Sequence, residues 1–252
     1  PIGIEFVSWT GDIQYLDNPS SPTTTVSMPV DDISLIATYK EKPFTNGSIS
    51  VRDANGTITN KVDFDGTELR TLIENTVDGD VFSFDTVEGN GVLHLGGAQI
   101  VINKSITIDG DIDDDGIADI TIDGDGLSRV LYIDDLSNSL QKEIILESLI
   151  IQNGYFDAVN NGSDSDNGAG IYNNETLTLN NVTITGCRIT GNSKWKAGMA
   201  LFNSDSGLVT MNSSQVTGNL SGNVGRIEGA VANLGTLTMI NSSVSNNETP
   251  AW

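Results

Sequence analysis

Gly168-Ala-Gly-Ile-Tyr-Asn173, Gly198-Met-Ala-Leu-Phe-Asn203 and Glu228-Gly-Ala-Val-Ala-Asn233 are three versions of one motif, and the closing Asn recurs every 30 residues. Each copy is followed by a second block. These blocks are Leu177-Thr-Leu-Asn-Asn-Val-Thr-Ile184-Thr-Gly186, Val209-Thr-Met-Asn-Ser-Ser-Gln-Val216-Thr-Gly218 and Leu237-Thr-Met-Ile-Asn-Ser-Ser-Val244-Ser-Asn246. A weaker, earlier copy is Ile144-Ile-Leu-Glu-Ser-Leu-Ile-Ile151-Gln-Asn153. A self-similar unit of this length with several short strands is one turn of a solenoid. One turn cannot bury its own inward aliphatics, whereas turns stacked at the strand spacing of about 4.8 Å bury them together. The fold class expected is all-β, a right-handed parallel β-helix.

Stacking predicts columns. Leu177, Val209 and Leu237 fall in one inward column, and Ile184, Val216 and Val244 in another. Thr178, Thr210 and Thr238 line an outer face. Asn173, Asn203 and Asn233 stack at a corner, where side-chain amides can bond turn to turn.

Upstream of the motif, short aliphatic strands recur between Gly, Asn and Asp turns: Val81–Phe84, Ile100–Ile102, Ile106–Ile108, Ile120–Ile122 and Val130–Ile133. His94, the single histidine, sits in Val92-Leu-His-Leu95 and reads as a strand residue. Before them, Asp65-Gly-Thr-Glu-Leu-Arg-Thr-Leu-Ile-Glu-Asn75 is the best helix candidate, with Thr67 as its cap. Leu69, Leu72 and Ile73 share one face, so the helix is expected to cover the open first coil. Lys40-Glu-Lys-Pro43 reads as a linker. The organisation expected is a partial β module over 1–42 and the β-helix over 43–252. The module's strands are placed at Ile2–Val7, Val26–Met28 and Ile33–Tyr39. The pattern is still running at Trp252, so a piece of a longer protein is expected.

Two resemblances follow from these residues. Phe6-Val-Ser-Trp-Thr-Gly-Asp12, Asn18-Pro19 and Val26-Ser-Met-Pro-Val-Asp-Asp-Ile33 resemble the second half of an InlB B-repeat-like (bacterial repeat) module, which implies a serial spacer in a surface protein. Leu69-Arg-Thr-Leu-Ile-Glu-Asn-Thr-Val-Asp-Gly-Asp80-Val-Phe-Ser-Phe84 resembles the amino-terminal segment of CSLREP-type proteins. Ile102-Asn-Lys-Ser-Ile-Thr-Ile-Asp-Gly110 and the Gly-Ala-Gly-Ile-Tyr-Asn copies are similar to chlamydial polymorphic outer-membrane-protein and pectin-lyase-like β-helices. Such coils serve adhesins, autotransporter passengers, spacers and polysaccharide-cleaving enzymes, so the resemblance implies a fold and leaves the activity open.

The formal charge is −22, from 34 acidic against 12 basic side chains. A phosphate backbone is repelled by such a surface, so nucleic acid is not an expected partner. No run approaches the ~20 apolar residues of a membrane span. With one cysteine, Cys187, no intrachain disulfide forms, and its coil position assigns it to structure. The location expected is extracellular or at a cell surface. The partners expected are a carbohydrate or matrix component and end-to-end contacts between stacks.

The densest chemical signal is Asp109-Gly-Asp-Ile-Asp-Asp-Asp-Gly-Ile-Ala-Asp119. Asp111, Asp113, Asp115, Gly116 and Asp119 match a D-x-D-x-D-G-x-x-D loop. Calcium needs six to eight oxygens, and alternate acidic positions aim carboxylates at one point. The expected ligands are Asp111, Asp113, Asp115, the Ile117 carbonyl and Asp119. The loop resembles EF-hand-like and thrombospondin type 3 calcium loops. Ile122 stands where an EF-hand has its bidentate Glu, and Asp123 or Asp125 is the substitute if the fold brings it near. Asp164-Ser-Asp166-Asn-Gly168 is a weaker acidic candidate.

No nucleophile, phosphate-loop or zinc spacing appears, and no catalytic residue is assigned. Arg188, Lys194-Trp195-Lys196 and Arg226 are the basic residues of the repeats, and the Lys-Trp-Lys run is read as a surface bulge. The function expected is a non-catalytic, adhesin-like or surface-layer stalk tied by calcium. The alternative is a polysaccharide lyase or glycoside hydrolase.

Overall fold

The structure, a computed structural model, describes residues 4–41, 47–85, 91–137, 140–158, 167–191, 196–221 and 227–248. It divides into two compact units, Pro1–Thr45 and Asn46–Trp252.

In the first unit, strands Ile4–Gly11 and Leu35–Glu41 pair antiparallel. Trp9 donates through Nε1 to the Ser21 carbonyl at 3.0 Å, and Phe6 packs against Trp9 and Tyr39. The strand expected at Val26–Met28 shrinks to a single bridge, Leu16 to Val26. Met28 and Val30 are exposed, so no buried face stabilises a longer pairing there.

The second unit is a parallel β-helix with three long faces. On the first face, strands Asp80–Asp85, Ile106–Asp109, Glu143–Glu147, Thr176–Asn180, Leu208–Asn212 and Thr236–Ile240 pair in parallel, each with the next. The second face stacks Gly91–His94, Ile120–Asp123, Leu149–Gln152, Thr183–Thr185, Gln215–Thr217 and Ser243–Ser245. The third stacks Ile100–Ile102, Leu131–Ile133, Ile171–Asn173, Leu201–Asn203 and Val231–Asn233. A short fourth ladder joins Tyr155–Ala158, Arg188–Gly191 and Leu220–Ser221.

The alternating burial of each strand follows from its period of two. Ile106 and Ile108 face in while Thr107 and Asp109 face out, and the next coils repeat the pattern with Ile144 and Leu146, then Leu177 and Leu179. The predicted columns form: Leu177, Val209 and Leu237 are register partners, as are Ile184, Val216 and Val244. Asn173 Nδ2 donates to Asn203 Oδ1 at 2.8 Å, and Asn203 Nδ2 to Asn233 Oδ1 at 2.7 Å.

The stack opens with the antiparallel hairpin Ser48–Arg52 and Ile58–Asp63, whose first strand pairs antiparallel with Asp80–Asp85. Helix α1, Gly66–Asn75, buries Leu69, Leu72 and Ile73 into the shared core, as its periodicity predicts. Its cap is Asp65, not Thr67. Asp65 is extended, and its Oδ1 accepts the amide hydrogens of Thr67 and Glu68 at 2.8 and 3.4 Å. Thr67 lies inside the first turn, where its own N–H is one of the donors that need a cap.

Candidate metal site

The acidic loop connects Ile106–Asp109 on the first face to Ile120–Asp123 on the second, so both its ends are held by parallel ladders. Asp119 N–H donates to the Gly110 carbonyl at 3.0 Å and closes the base. Gly110 has no room for a side chain, since a Cβ there would lie 2.4 Å from the Ser148 carbonyl oxygen. Ile112 turns inward against the core and anchors the rising limb. At the tip, Asp114 (φ 60°) and Gly116 (φ 81°) take the left-handed conformation that wraps the chain around Asp111.

Asp111 Oδ1 accepts Asp115 N–H at 3.1 Å, and its Oδ2 accepts Gly116 N–H at 2.7 Å. Asp115 Oδ1 accepts Ile117 N–H at 2.8 Å. One carboxylate oxygen from each of Asp111, Asp113 and Asp115 falls within 4.8 Å of the others. Asp119 is not in that convergence: its Oδ2 accepts Ile112 N–H at 2.8 Å and holds the base. Ile117 is exposed at the tip. Just before the loop, burial pushes the Asp109 carboxyl above its ordinary value, and the charges of Glu147, Asp111 and Asp114 push it further.

Asp123 and Asp125 do not join this loop. They converge instead with His94, which ends its strand as predicted. His94 Nδ1 lies 2.6 Å from Asp125 Oδ1. That hydrogen bond raises the imidazole above its ordinary value, assisted by the Asp125 and Asp123 charges. A third acidic group is Asp134, Asp135 and Glu175. Buried Glu175 accepts Asp135 N–H at 3.0 Å on Oε1 and Lys142 N–H at 2.7 Å on Oε2, both from the preceding coil.

Of the other sequence candidates, Asp164, Asp166, Lys194, Trp195 and Arg226 lie outside the described residues, as does the Lys196 side chain. Arg188 is on an exposed strand position. Cys187 is fully buried, and burial pushes its thiol up to about 12, which keeps it protonated and inert.

Sequence reasoning missed Arg129. It is 4% exposed and donates to the carbonyls of Gly168 (2.9 Å) and Asn167 (2.8 Å) and to Gln99 Oε1 (2.9 Å). Its guanidinium also lies against the rings of Tyr132, Phe156 and Tyr172, at 5.3, 5.1 and 5.6 Å. Tyr132, Tyr172 and Phe202 form a stacked aromatic column on the third face, with centroids 4.9 and 5.4 Å apart. Nothing in the local sequence marks Arg129, because its hydrogen-bond partners Gln99, Asn167 and Gly168 come from neighbouring coils.

Among the described residues, no helix is long and apolar enough to cross a membrane. A family model for the divergent InlB B-repeat domain matches residues 1–43. No curated protein and no solved structure matches the chain.

Proposed function

We propose that this chain is a non-catalytic, extracellular cell-surface module, an adhesin-like or surface-layer stalk whose β-helix is of the pectin-lyase-like and polymorphic outer-membrane-protein kind. The observation that carries this reading is the repeat-family match at residues 1–43 in one chain with an uninterrupted parallel stack. Serial repeats and solenoids both extend a chain without requiring a reactive centre. The acidic surface suits a protein that must stay soluble and avoid nucleic acid and anionic lipid.

Calcium belongs to this reading. Three carboxylates at alternate positions converge, Asp111 is pre-oriented by two backbone amides, and Gly116 permits the turn. Oxygen-only ligation of this kind suits a hard divalent cation. Asp111, Asp113 and Asp115 would be the carboxylate ligands, with the Ile117 carbonyl and water completing the set and Asp119, which lies outside the convergence, acting through a water. The ion would offset the mutual repulsion of the carboxylates and lock the second coil's turn.

Calorimetric titration with calcium chloride tests the ion. One equivalent should bind with a Kd of about 10⁻⁵–10⁻³ M, and Asp113→Asn with Asp115→Asn should abolish both the heat and the rise in Tm. Absence of calcium heat in the wild-type chain removes calcium from the proposal. Protease treatment of intact source cells tests the location: the chain should be cleaved before any cytoplasmic marker. Release of unsaturated or reducing sugar from uronate polymers by the purified chain would favour the lyase or hydrolase alternative.

A further inference from the structure

We propose that His94, Asp123 and Asp125 form a second cation site, distinct from the acidic loop and suited to a borderline transition-metal ion such as zinc. The juxtaposition follows from strand register. His94 ends Gly91–His94, Asp123 ends Ile120–Asp123, and the two are direct register partners in adjacent parallel strands. Parallel neighbours lie about 4.8 Å apart, so their outward side chains must meet. Asp125 follows two residues later in a left-handed conformation (φ 59°) that folds its carboxylate back over this column. One donor atom from each residue falls within 4.8 Å of the other two.

The carboxylates are already oriented, mostly by bonds from outside the trio. Asp123 is 6% exposed, and its Oδ2 accepts Gln152 Nε2 at 2.8 Å and Asn153 Nδ2 at 3.0 Å. Its Oδ1 accepts Asp125 N–H at 2.7 Å. Asp125 Oδ2 accepts Gly96 N–H at 2.8 Å, which leaves Oδ1 facing the imidazole. Outer hydrogen bonds of this sort hold ligating carboxylates in place and raise metal affinity. The His94 side chain is 66% exposed, so an ion reaches the trio from solvent and the ring is free to adjust.

The donor set selects the ion. Imidazole with two carboxylates suits zinc, cobalt, nickel or manganese, whereas calcium takes oxygen alone. A bound ion would take the place of the proton between Nδ1 and Oδ1, and opening that gap from 2.6 Å to roughly 3.3 Å accommodates tetrahedral metal–ligand bonds of about 2.0–2.1 Å. The ion would then bridge the first two coils of the second face. The chain carries no other histidine, and its single thiol is buried, so no second soft donor competes among the described residues.

The test is calorimetric titration of zinc chloride into the full chain with calcium chloride held in excess, paired with NMR of the one imidazole. We expect one equivalent of zinc to bind and the His94 ring resonances to move with it. His94→Gln and Asp125→Asn, each checked for an unchanged circular dichroism spectrum, should each weaken zinc at least about tenfold. Asp113→Asn with Asp115→Asn should leave zinc affinity unaltered, so this site can fail while the calcium reading stands, and the reverse. Absence of zinc heat, binding with the imidazole resonances unmoved, or undiminished binding by His94→Gln would overturn the proposal.

Discussion

Asn203 is wholly buried, and both polar atoms of its amide are engaged. Its Nδ2 donates to Asn233 Oδ1 and to the carbonyls of Gly207 (3.0 Å) and Thr236 (3.1 Å), while Oδ1 accepts from Asn173. The column was legible because every copy of the motif closes on Asn. Its weight comes from backbone carbonyls that the motif does not display. Asn203→Ala removes the side-chain donor to the Gly207 and Thr236 carbonyls and the acceptor of Asn173 Nδ2, although the Gly207 carbonyl keeps the Thr236 amide. With each such bond contributing about 0.5–1.5 kcal/mol, urea unfolding should show a loss of about 1–3 kcal/mol. Glu175 had no sequence signal at all, since its partners Asp135 and Lys142 belong to the preceding coil. Burial raises its carboxyl above the ordinary value, and the Asp135 charge adds to this. A carboxyl with a raised folded-state value favours folding most when protonated. That contribution is present below about pH 4.5 and is lost as pH rises through the raised value. The wild-type chain should thus gain stability relative to Glu175→Gln as pH falls from 7 toward 4.5, read as the difference in Tm between the two. Arg129 shares Glu175's invisibility, and although His94 reads as a strand residue and Asp123 as a substitute ligand for the acidic loop, their meeting with each other has no sequence signal. The register that pairs His94 with Asp123 is explicit only once two dissimilar strands, Gly91–His94 and Ile120–Asp123, are aligned across a gap without a repeated motif.

Helix α1 illustrates what an element owes to its neighbours. Its buried stripe was readable from the spacing of Leu69, Leu72 and Ile73, but its cap was misplaced by two residues, because Asp65 and Thr67 are both residue types that cap helices. The extended backbone of Asp65 decides between them. Asp65→Ala should destabilise the chain by about 1 kcal/mol in urea unfolding, and Thr67→Ala by much less. The helix is then fastened to the first coil by Arg70, whose guanidinium donates to the carbonyls of Leu95 (2.8 Å), Ala98 (2.6 Å) and Gln99 (3.3 Å). Gly66 makes the approach possible, since a Cβ there would stand 2.2 Å from the His94 carbonyl oxygen. Gly66→Ala should accordingly cost more than the change from Gly to Ala saves in helix propensity, giving a lower Tm. The acidic loop belongs at this scale too. Its convergence at Asp111, Asp113 and Asp115 was read from alternation, whereas the bond that Asp119 accepts from the Ile112 amide is one that only the folded loop makes.

Across the whole second unit, hydrogen bonds between successive coils run along the axis of the stack, ladder after ladder on three faces. Tension applied from end to end would meet those bonds head-on rather than in shear, one coil at a time. Each coil torn free should release about 30 residues of chain, or roughly 100 Å of contour. Single-molecule extension would record this as a sawtooth of low, evenly spaced peaks. One rupture of roughly 700 Å would instead mean that the coils fail together. A tether built this way yields gradually under drag, dissipating work over many small breaks where a shear-loaded sandwich would hold and then snap.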